Sequence, residues 1–365
     1  MMHVVATGDR RGAELFTFDL VNALAKLGIE QSIAVLRGPM AMDFGVPTDV
    51  LSRDGNGHRR MELSIVRKLV RTASRWVPDL VQAHGGEALK YAVISRQEAK
   101  RRLVYRRIGL FTPRTFLPGR RFGYSRLMRR AHRIVVVSEA GKSETVNRFG
   151  IPADRVLAIP NGVDPGRVES RATSAEIRRE FGIRNDAVVL LSLGALTWEK
   201  DPIGQLEIGA RVTQSVPGAV HLFVGDGPLR CELEAEVRRR NLFEKALVVG
   251  SRPRVGDVLA AADALLIASR TEGMPAVSIE AGLVGLPVVA YELAGIPEVV
   301  INGRTGMLAP QGRPDALARH AEALLRDEPL RRRLGIAAQA HCLERFHIGV
   351  IAPRYAQLFG DLVER

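Results

Sequence analysis

The segment SRTEGMPAVSIEAGLVGLPVVA (269–290) gathers residue types suited to an anionic, hydroxyl-rich ligand. It follows the apolar run ALLIAS (264–269) through a short polar loop, and Pro275 then suits the first turn of a helix, where its missing N–H costs nothing. The spacing predicts a helix to about Gly285, with Ala276, Ile279, Ala281, Leu283 and Val284 on its apolar surface. The start of such a helix offers backbone N–H groups and the positive end of a dipole, which favours an oxyanion or a phosphate. Glu272 just precedes the helix and Glu280 lies inside it. The rise from Pro275 to Glu280 is only about 7–8 Å, so the two carboxylates can reach different parts of one ligand. Glu280 could accept from the vicinal hydroxyls of a ribose, and Glu272 could position a sugar and stabilise an oxocarbenium-like transition state. Each also has an ordinary reading: Glu272 complementing the dipole, Glu280 solvated. The small apolar neighbours of Glu280 favour a partner for it, because a polar group buried among them needs one.

Other candidates follow apolar runs in the same way. Lys200 lies in GALTWEKDP (194–202), where a lysine can neutralise a diphosphate as a point charge. GDGPL (225–229) has the glycines of a tight turn, but no GxGxxG fingerprint of a nicotinamide dinucleotide is present. His84 ends LVQAH (80–84), a position that also suits a purely structural histidine. Between Ala99 and Ser138 there is no acidic residue, while Lys100, Arg101, Arg102, Arg106, Arg107, Arg114, Arg120, Arg121, Arg126, Arg129, Arg130 and Arg133 are interleaved with Phe111, Phe116, Phe122, Tyr124 and Leu127. Such a surface suits an anionic bilayer, a phosphorylated lipid or a charged saccharide, and its bland alternative is a solvated arginine-rich face.

The elements that must position these residues alternate along the chain. In the first half HVVAT (3–7), the turn GDRRG (8–12) and helix-patterned 13–28 are followed by the strand patterns 29–36, 80–84 and 133–138. In the second half AVVLLSL (187–193), AVHLFV (219–224), ALVVG (246–250), ALLIAS and LPVVA (286–290) repeat the scheme. Strand–turn–helix alternation predicts an α/β protein with parallel sheets, and ligands then gather outside the carboxyl ends of the strands. The Pro- and Gly-containing stretch 159–170 reads as the connection between two domains.

Size and composition narrow the class. The 365 residues exceed what one core usually supports. The net charge of +13 is uneven, since residues 1–168 carry 29 Lys+Arg against 15 Asp+Glu. Few aromatics and no nucleic-acid motif argue against nucleic acid as a partner. Cys231 and Cys342 match no metal or redox spacing and read as free thiols. No apolar run approaches a membrane span, and the N-terminus lacks the pattern of a signal peptide, so the expected location is cytoplasmic or peripheral on the inner face of the cytoplasmic membrane.

These residues carry a resemblance. Segment 269–290 resembles the signature of the family 4 retaining glycosyltransferases of GT-B fold (glycosyl transferases group 1), including the Glu-x7-Glu spacing at Glu272 and Glu280. TGDRRGAE (7–14), VVVSEAGKSE (135–144), IPNGVD (159–164), EKD (199–201), VGDGPLRCELE (224–234) and AGIPEVVINGRTGML (294–308) match in order, so the resemblance covers essentially the whole chain. It implies two facing Rossmann-like, doubly wound domains with an interdomain cleft: an acceptor-side domain at 1–165, completed by a crossover helix at 348–365, and a nucleotide-sugar domain at 166–347. It implies a UDP- or GDP-sugar donor, with Lys200 on the diphosphate, Glu272 and the helix start Gly273, Met274, Ala276 and Val277 on the phosphate and sugar, and Glu280 on the ribose. Gly12, Asn161 and His84 would face the donor from the first domain or the hinge, and the base would lie near Arg252. The implied enzyme is a metal-independent hexosyltransferase without a cofactor. Its acceptor would be an anionic or lipid-linked saccharide of cell-envelope or polysaccharide synthesis, met at Arg101, Arg102, Arg106, Arg107, Arg120 and Arg121.

One departure stands out. The family loop carries an arginine on the diphosphate where this chain has Ala195, so a replacement charge is expected from Arg10, Arg11 or Arg270. A sugar-nucleotide epimerase and an inactive homologue acting as a partner subunit are the alternative readings.

Overall fold

The computed structural model describes residues 1–10, 12–53, 62–99, 101–109 and 113–364. The chain separates into two compact units, Met1–Gly162 with Ile348–Arg365, and Val163–His347.

The first unit is built on a seven-stranded sheet. Its strands are β1 (Met2–Thr7), β2 (Ser32–Arg37), β3 (Thr48–Val50), β4 (Leu80–His84), β5 (Arg102–Arg107), β6 (Arg133–Val136) and β7 (Val156–Ala158). They lie in the order β3-β2-β1-β4-β5-β6-β7, every pairing parallel. The helices α1 (Gly12–Lys26), α2 (Leu63–Trp76), α3 (Gly85–Ala99), α4 (Pro118–Met128) and α5 (Glu139–Phe149) connect them. The chain's last helix, Ile348–Val363, packs Ile351, Tyr355, Leu358 and Phe359 against Phe16, Leu20 and Leu24 of α1. Helix α5 shows how the sequence sets its own limits. Ser138 caps its start by accepting from Gly141 N, and Gly150, with φ 61°, ends it by donating to Val146 O.

The second unit carries a six-stranded sheet of β8 (Val188–Leu193), β9 (Ala219–Val224), β10 (Ala246–Val248), β11 (Ala264–Ile267), β12 (Val288–Glu292) and β13 (Gly306–Pro310). Their order is β10-β9-β8-β11-β12-β13, again all parallel. Its helices are α6 (Pro165–Val168), α7 (Ser174–Glu180), α8 (Pro202–Ser215), α9 (Arg230–Arg239), α10 (Val255–Ala260), α11 (Ala276–Leu283), α12 (Ile296–Val299), α13 (Pro314–Arg326) and α14 (Glu328–Phe346). Leu190, Leu266 and Val289 pack with Ile208, Val212, Leu317, Ala321 and Leu324 as one core layer. Each leucine, isoleucine or valine of this layer taken fully from water contributes about 1.5–3 kcal/mol.

Strand order decides where ligands can sit. In the first sheet the order reverses between β1 and β4, and in the second between β8 and β11. At such a switch point the two connections leave in opposite directions and open a crevice beyond the strand ends. The loops after β8 and β11 are those carrying Lys200 and Glu272.

Several expectations need adjustment. Pro275 is the residue capping α11, not its first helical residue, and α11 stops at Leu283, short of Gly285. Strands β3, β5, β7 and β13 were not anticipated. Arg11, Lys100 and Phe111 lie outside the described residues.

Candidate functional site

The start of the loop after β8 is held by backbone. Gly194 N donates to Val224 O at 3.0 Å, Leu196 N to Asp226 O at 2.9 Å, and Leu229 N to Leu196 O at 3.0 Å. The loops after β8 and β9 therefore lie backbone against backbone. A Cβ at Gly225, whose φ is +153°, would fall 1.8 Å from Gly194 O, and one at Gly227 2.5 Å from Leu196 O. That close approach is the reason for the glycines of GDGPL. Asp201 then turns the chain into α8 from a left-handed conformation, φ 51°, and caps the helix by accepting from Gly204 N at 3.3 Å.

Lys200, next to that cap, reaches across the switch point. Its Nζ lies 2.6 Å from Glu272 Oε1, and Ser269 Oγ donates to the same oxygen at 2.6 Å. The lysine side chain is 31% exposed and the glutamate 8%, so the cation faces outward and the carboxylate inward. A pocket opens here between Gly194, Ala195, Lys200, Ser269, Glu272 and Val277. Arg270, on the same loop as Glu272, donates to Asp201 Oδ1 at 3.0 Å and stacks over Trp198. Of the charges expected to stand in for the missing arginine at 195, Arg270 is thus in the same unit as Lys200 and attached to its neighbour.

Helix α11 starts beside this pocket. Gly273 and Met274 are buried in the turn leading to it, Gly273 O accepts from Gly295 N at 2.7 Å, and Ala276 and Val277 form its first turn. First-turn N–H groups have no intrahelical acceptor and are available to an anion. One turn further in, Glu280 Oε1 accepts from Arg167 Nη1 at 2.8 Å, the two side chains 5% and 12% exposed. Nothing local in the sequence marks Arg167, which is 113 positions away in the chain.

The remaining candidates lie elsewhere. Arg252 ion-pairs with Glu180 at 3.3 Å, stacks on Phe181 and donates to Val249 O, which places it with α7 and not at the Lys200 pocket. Asn161, buried, accepts from Arg106. Gly12 is exposed and a Cβ there would meet nothing within 4 Å, whereas at Gly8 it would lie 2.6 Å from Pro39 O. Of the two glycines in that turn, Gly8 is the one the backbone requires.

His84 ends β4 as the pattern suggests but is interior. Its Nε2 lies 3.0 Å from His3 Nδ1 and its Nδ1 3.1 Å from Thr17 Oγ1. Burial, helped by the charges of His3 and Arg106, holds its pKa well below the usual histidine value, and burial lowers His3 to about 4. With both nitrogens engaged, His84 is a neutral interior group in this structure and offers no free nitrogen to a ligand.

The basic stretch does not form one surface. Arg106 and Arg107 are buried on β5, Arg106 with its guanidinium 3.7 Å from the centre of the Phe16 ring and Arg107 bound to Thr145, Gly141 O and Glu144. Their reading as acceptor or membrane contacts is corrected: a parallel strand covered on both faces buries consecutive residues whatever their charge. Arg101 donates to Pro78 O, and Arg101 and Arg102 are half-buried. Arg120 and Arg121 on α4 are exposed, beside Phe122, which is 70% exposed.

Comparison with known proteins places these observations in context. The family model described as glycosyl transferases group 1 matches residues 173–341, and that described as glycosyltransferase family 4 matches residues 10–167. The chain is 28% identical over 212 residues to the N-acetyl-alpha-D-glucosaminyl L-malate synthase of Bacillus anthracis, covering 58% of this chain and 55% of that protein. It is 24% identical over 239 residues to the alpha-D-kanosaminyltransferase of Streptomyces kanamyceticus, covering 64% and 62%. The match thus spans less than two thirds of the length of these curated relatives. Among solved structures, Anabaena HepE in complex with UDP and glucose is similar over 99% of both chains at a TM-score of 0.86 and 24% identity. WaaG, a glycosyltransferase involved in lipopolysaccharide biosynthesis, is similar over 98% of both at 0.78 and 16%. At these identities the likeness bears on the fold alone.

Proposed function

The chain belongs to the family 4 glycosyltransferases (glycosyl transferases group 1) of GT-B fold, and from that premise we propose that it transfers a sugar, with retention, from a nucleotide diphosphate sugar to an anionic or lipid-linked saccharide. The observation that carries the reading is the meeting of Lys200, Glu272 and the start of α11 around one pocket at the β8–β11 switch point. The Lys200 ammonium and the first-turn amides at Ala276 and Val277 stabilise the diphosphate, Glu272 holds the donor sugar, and Glu280 takes the ribose. Retention follows when the acceptor hydroxyl approaches on the face from which the phosphate departs. The bond from the anomeric carbon to the phosphate oxygen breaks, the bond to the acceptor oxygen forms, and the departing phosphate takes up the hydroxyl proton. Stabilising that phosphate is then the main catalytic contribution of the protein, and the scheme asks for no metal or cofactor. A uridine donor is favoured by the similarity to HepE, whose structures hold UDP and UDP-glucose. The exposed arginines of α4 are where we place contact with an anionic acceptor or bilayer, in a role in envelope or polysaccharide synthesis.

Donor turnover tests the assignment. Screening nucleotide sugars by thermal shift identifies the donor, because a ligand bound only to the folded state raises the melting temperature. With that donor, Lys200→Ala should lower turnover about 10²–10³-fold, the range for losing one preorganised charge on a developing anion. Unchanged turnover would show that the diphosphate is held elsewhere.

A further inference from the structure

Arg167 approaches Glu280 from a stretch of chain that is fixed in place by three features. Asp164 caps the short helix α6 by accepting from Gly166 N at 3.0 Å. Just beyond Arg167, the backbone presses on the start of α10 so closely that a Cβ at Gly256 would stand 2.3 Å from Val168 O. Asp257 Oδ1 then accepts from Ser170 Oγ at 3.0 Å and Arg171 N at 2.8 Å. The guanidinium is therefore presented from a clamped backbone and not from a free loop.

Its contact with Glu280 is one-sided. Arg167 Nη1 bonds Oε1 of Glu280 at 2.8 Å, and among the described residues no donor reaches Oε2. An arginine serving only to neutralise a buried carboxylate is best placed as a fork on both oxygens. Here it fixes one oxygen and leaves the other open, on a carboxylate that is 5% exposed. A vicinal diol needs such an acceptor: a carboxylate with its rotamer fixed and an unoccupied oxygen. Without Arg167 the carboxylate would be free to turn, and a partly buried charge would lack compensation.

We propose that Arg167 is the positioning residue for ribose recognition, holding Glu280 by Oε1 so that the carboxylate can accept both ribose hydroxyls and thereby select ribonucleotide over 2′-deoxyribonucleotide donors. The inference rests on the reading of Glu280 as the ribose acceptor, and it assigns to the short helix α6, at the start of the second unit, a part in donor specificity.

The test compares the affinity of the full chain for UDP and for 2′-deoxyuridine diphosphate by calorimetry, with GDP and its 2′-deoxy form in parallel. Wild type should favour the ribonucleotide about tenfold, the scale of one hydrogen bond to a charged group. Arg167→Met and Arg167→Gln should bring the two affinities within about twofold of each other, mainly by weakening the ribonucleotide. Arg167→Lys, which keeps a cation, should restore part of the preference. Thermal melting of each variant checks folding, and Arg167→Gln supplies the measurement if the methionine variant fails to fold. Preference ratios in folded Arg167→Met or Arg167→Gln equal to that of wild type overturn the proposal, because a merely structural arginine would leave the ratio unmoved. Wild type binding both nucleotides equally overturns the ribose assignment and leaves the diphosphate site standing. Wild type binding none of the four overturns the donor-site reading as well.

Discussion

A lysine already 2.6 Å from a carboxylate must be shared or surrendered when a ligand arrives. The lysine is 31% exposed and can turn to a diphosphate, which brings more charge than one carboxylate, while Ser269 Oγ keeps its bond to Glu272 Oε1. The pair Arg167–Glu280 is more deeply enclosed and is suited to persist. Lys200 and Glu272 stand out in the sequence because each sits in a polar loop after an apolar run, and Glu280 because it interrupts a helix of small apolar residues. Arg167 was not, since nothing local distinguishes it from the many other arginines and its meaning comes from a carboxylate 113 positions away. His84 shows the converse: its place at a strand end was legible, its enclosure by His3 and Thr17 was not. That enclosure has a consequence for acid stability. His3 and His84 both ionise less readily in the folded chain than in the unfolded one, and burial likewise lowers His221 to about 3. The unfolded state therefore binds more protons below the ordinary histidine pKa of about 6.5. Their contribution to stability is fully present above that pH and is lost progressively as pH falls toward the folded values. Urea midpoints should drop between about pH 6.5 and pH 5, above the range where most carboxylates titrate. A flat profile over that interval would mean these imidazoles are not held neutral.

Among the elements, apolar runs were the readable ones. LVQAH and AVHLFV form β4 and β9 over the residues expected, since parallel strands covered on both faces are apolar nearly throughout. RLVYRR broke that rule, and β5 was hidden behind its arginines. The fold accommodates them by giving Arg106 to Phe16 and Asn161, and Arg107 to Glu144, Thr145 and the Gly141 carbonyl. Short edge strands such as β3 and β7, three residues each, carry too little pattern to be read. The glycine turn after β9 was visible as a turn, but its purpose depends on a second loop. Because Gly225 lies against Gly194 O with a backbone angle that side chains rarely adopt, Gly225→Ala should displace the loop that presents Lys200. The expected cost is roughly 2–4 kcal/mol, in the range of backbone strain combined with overpacking. Donor affinity should fall with it. Gly12→Ala, at an exposed helix start with nothing near its Cβ, is the control and should melt like wild type. Equal melting temperatures for Gly225→Ala and wild type would mean that the two loops are not locked together.

At the scale of the molecule, the charge imbalance was legible but its distribution in space was not. Residues 1–168 carry 29 basic against 15 acidic side chains, and the acid-free stretch 99–138 looked like one continuous basic face. Burial of Arg106 and Arg107 removes its centre, and what stays outside is concentrated on α4 and the turn after it: Arg120, Arg121, Arg126, Arg129 and Arg130, with Leu117 55% and Phe122 70% exposed. No helix among the described residues is long and apolar enough to cross a membrane. Each basic side chain near an anionic surface contributes about 1 kcal/mol, so five together can hold a protein reversibly. The attraction should be lost at about 0.5 M salt, where the Debye length shrinks to roughly 4 Å. The expected result is co-sedimentation with vesicles containing anionic phospholipid at low salt, release at high salt, and no binding to vesicles of phosphatidylcholine alone. Reversing two charges, Arg120→Glu with Arg121→Glu, should abolish sedimentation and weaken transfer to an anionic acceptor while leaving donor binding as it was, since these residues belong to the other compact unit from Lys200 and Glu272. Equal binding to anionic and neutral vesicles, or binding indifferent to the double reversal, would mean that α4 presents a solvated face and that the acceptor is met elsewhere.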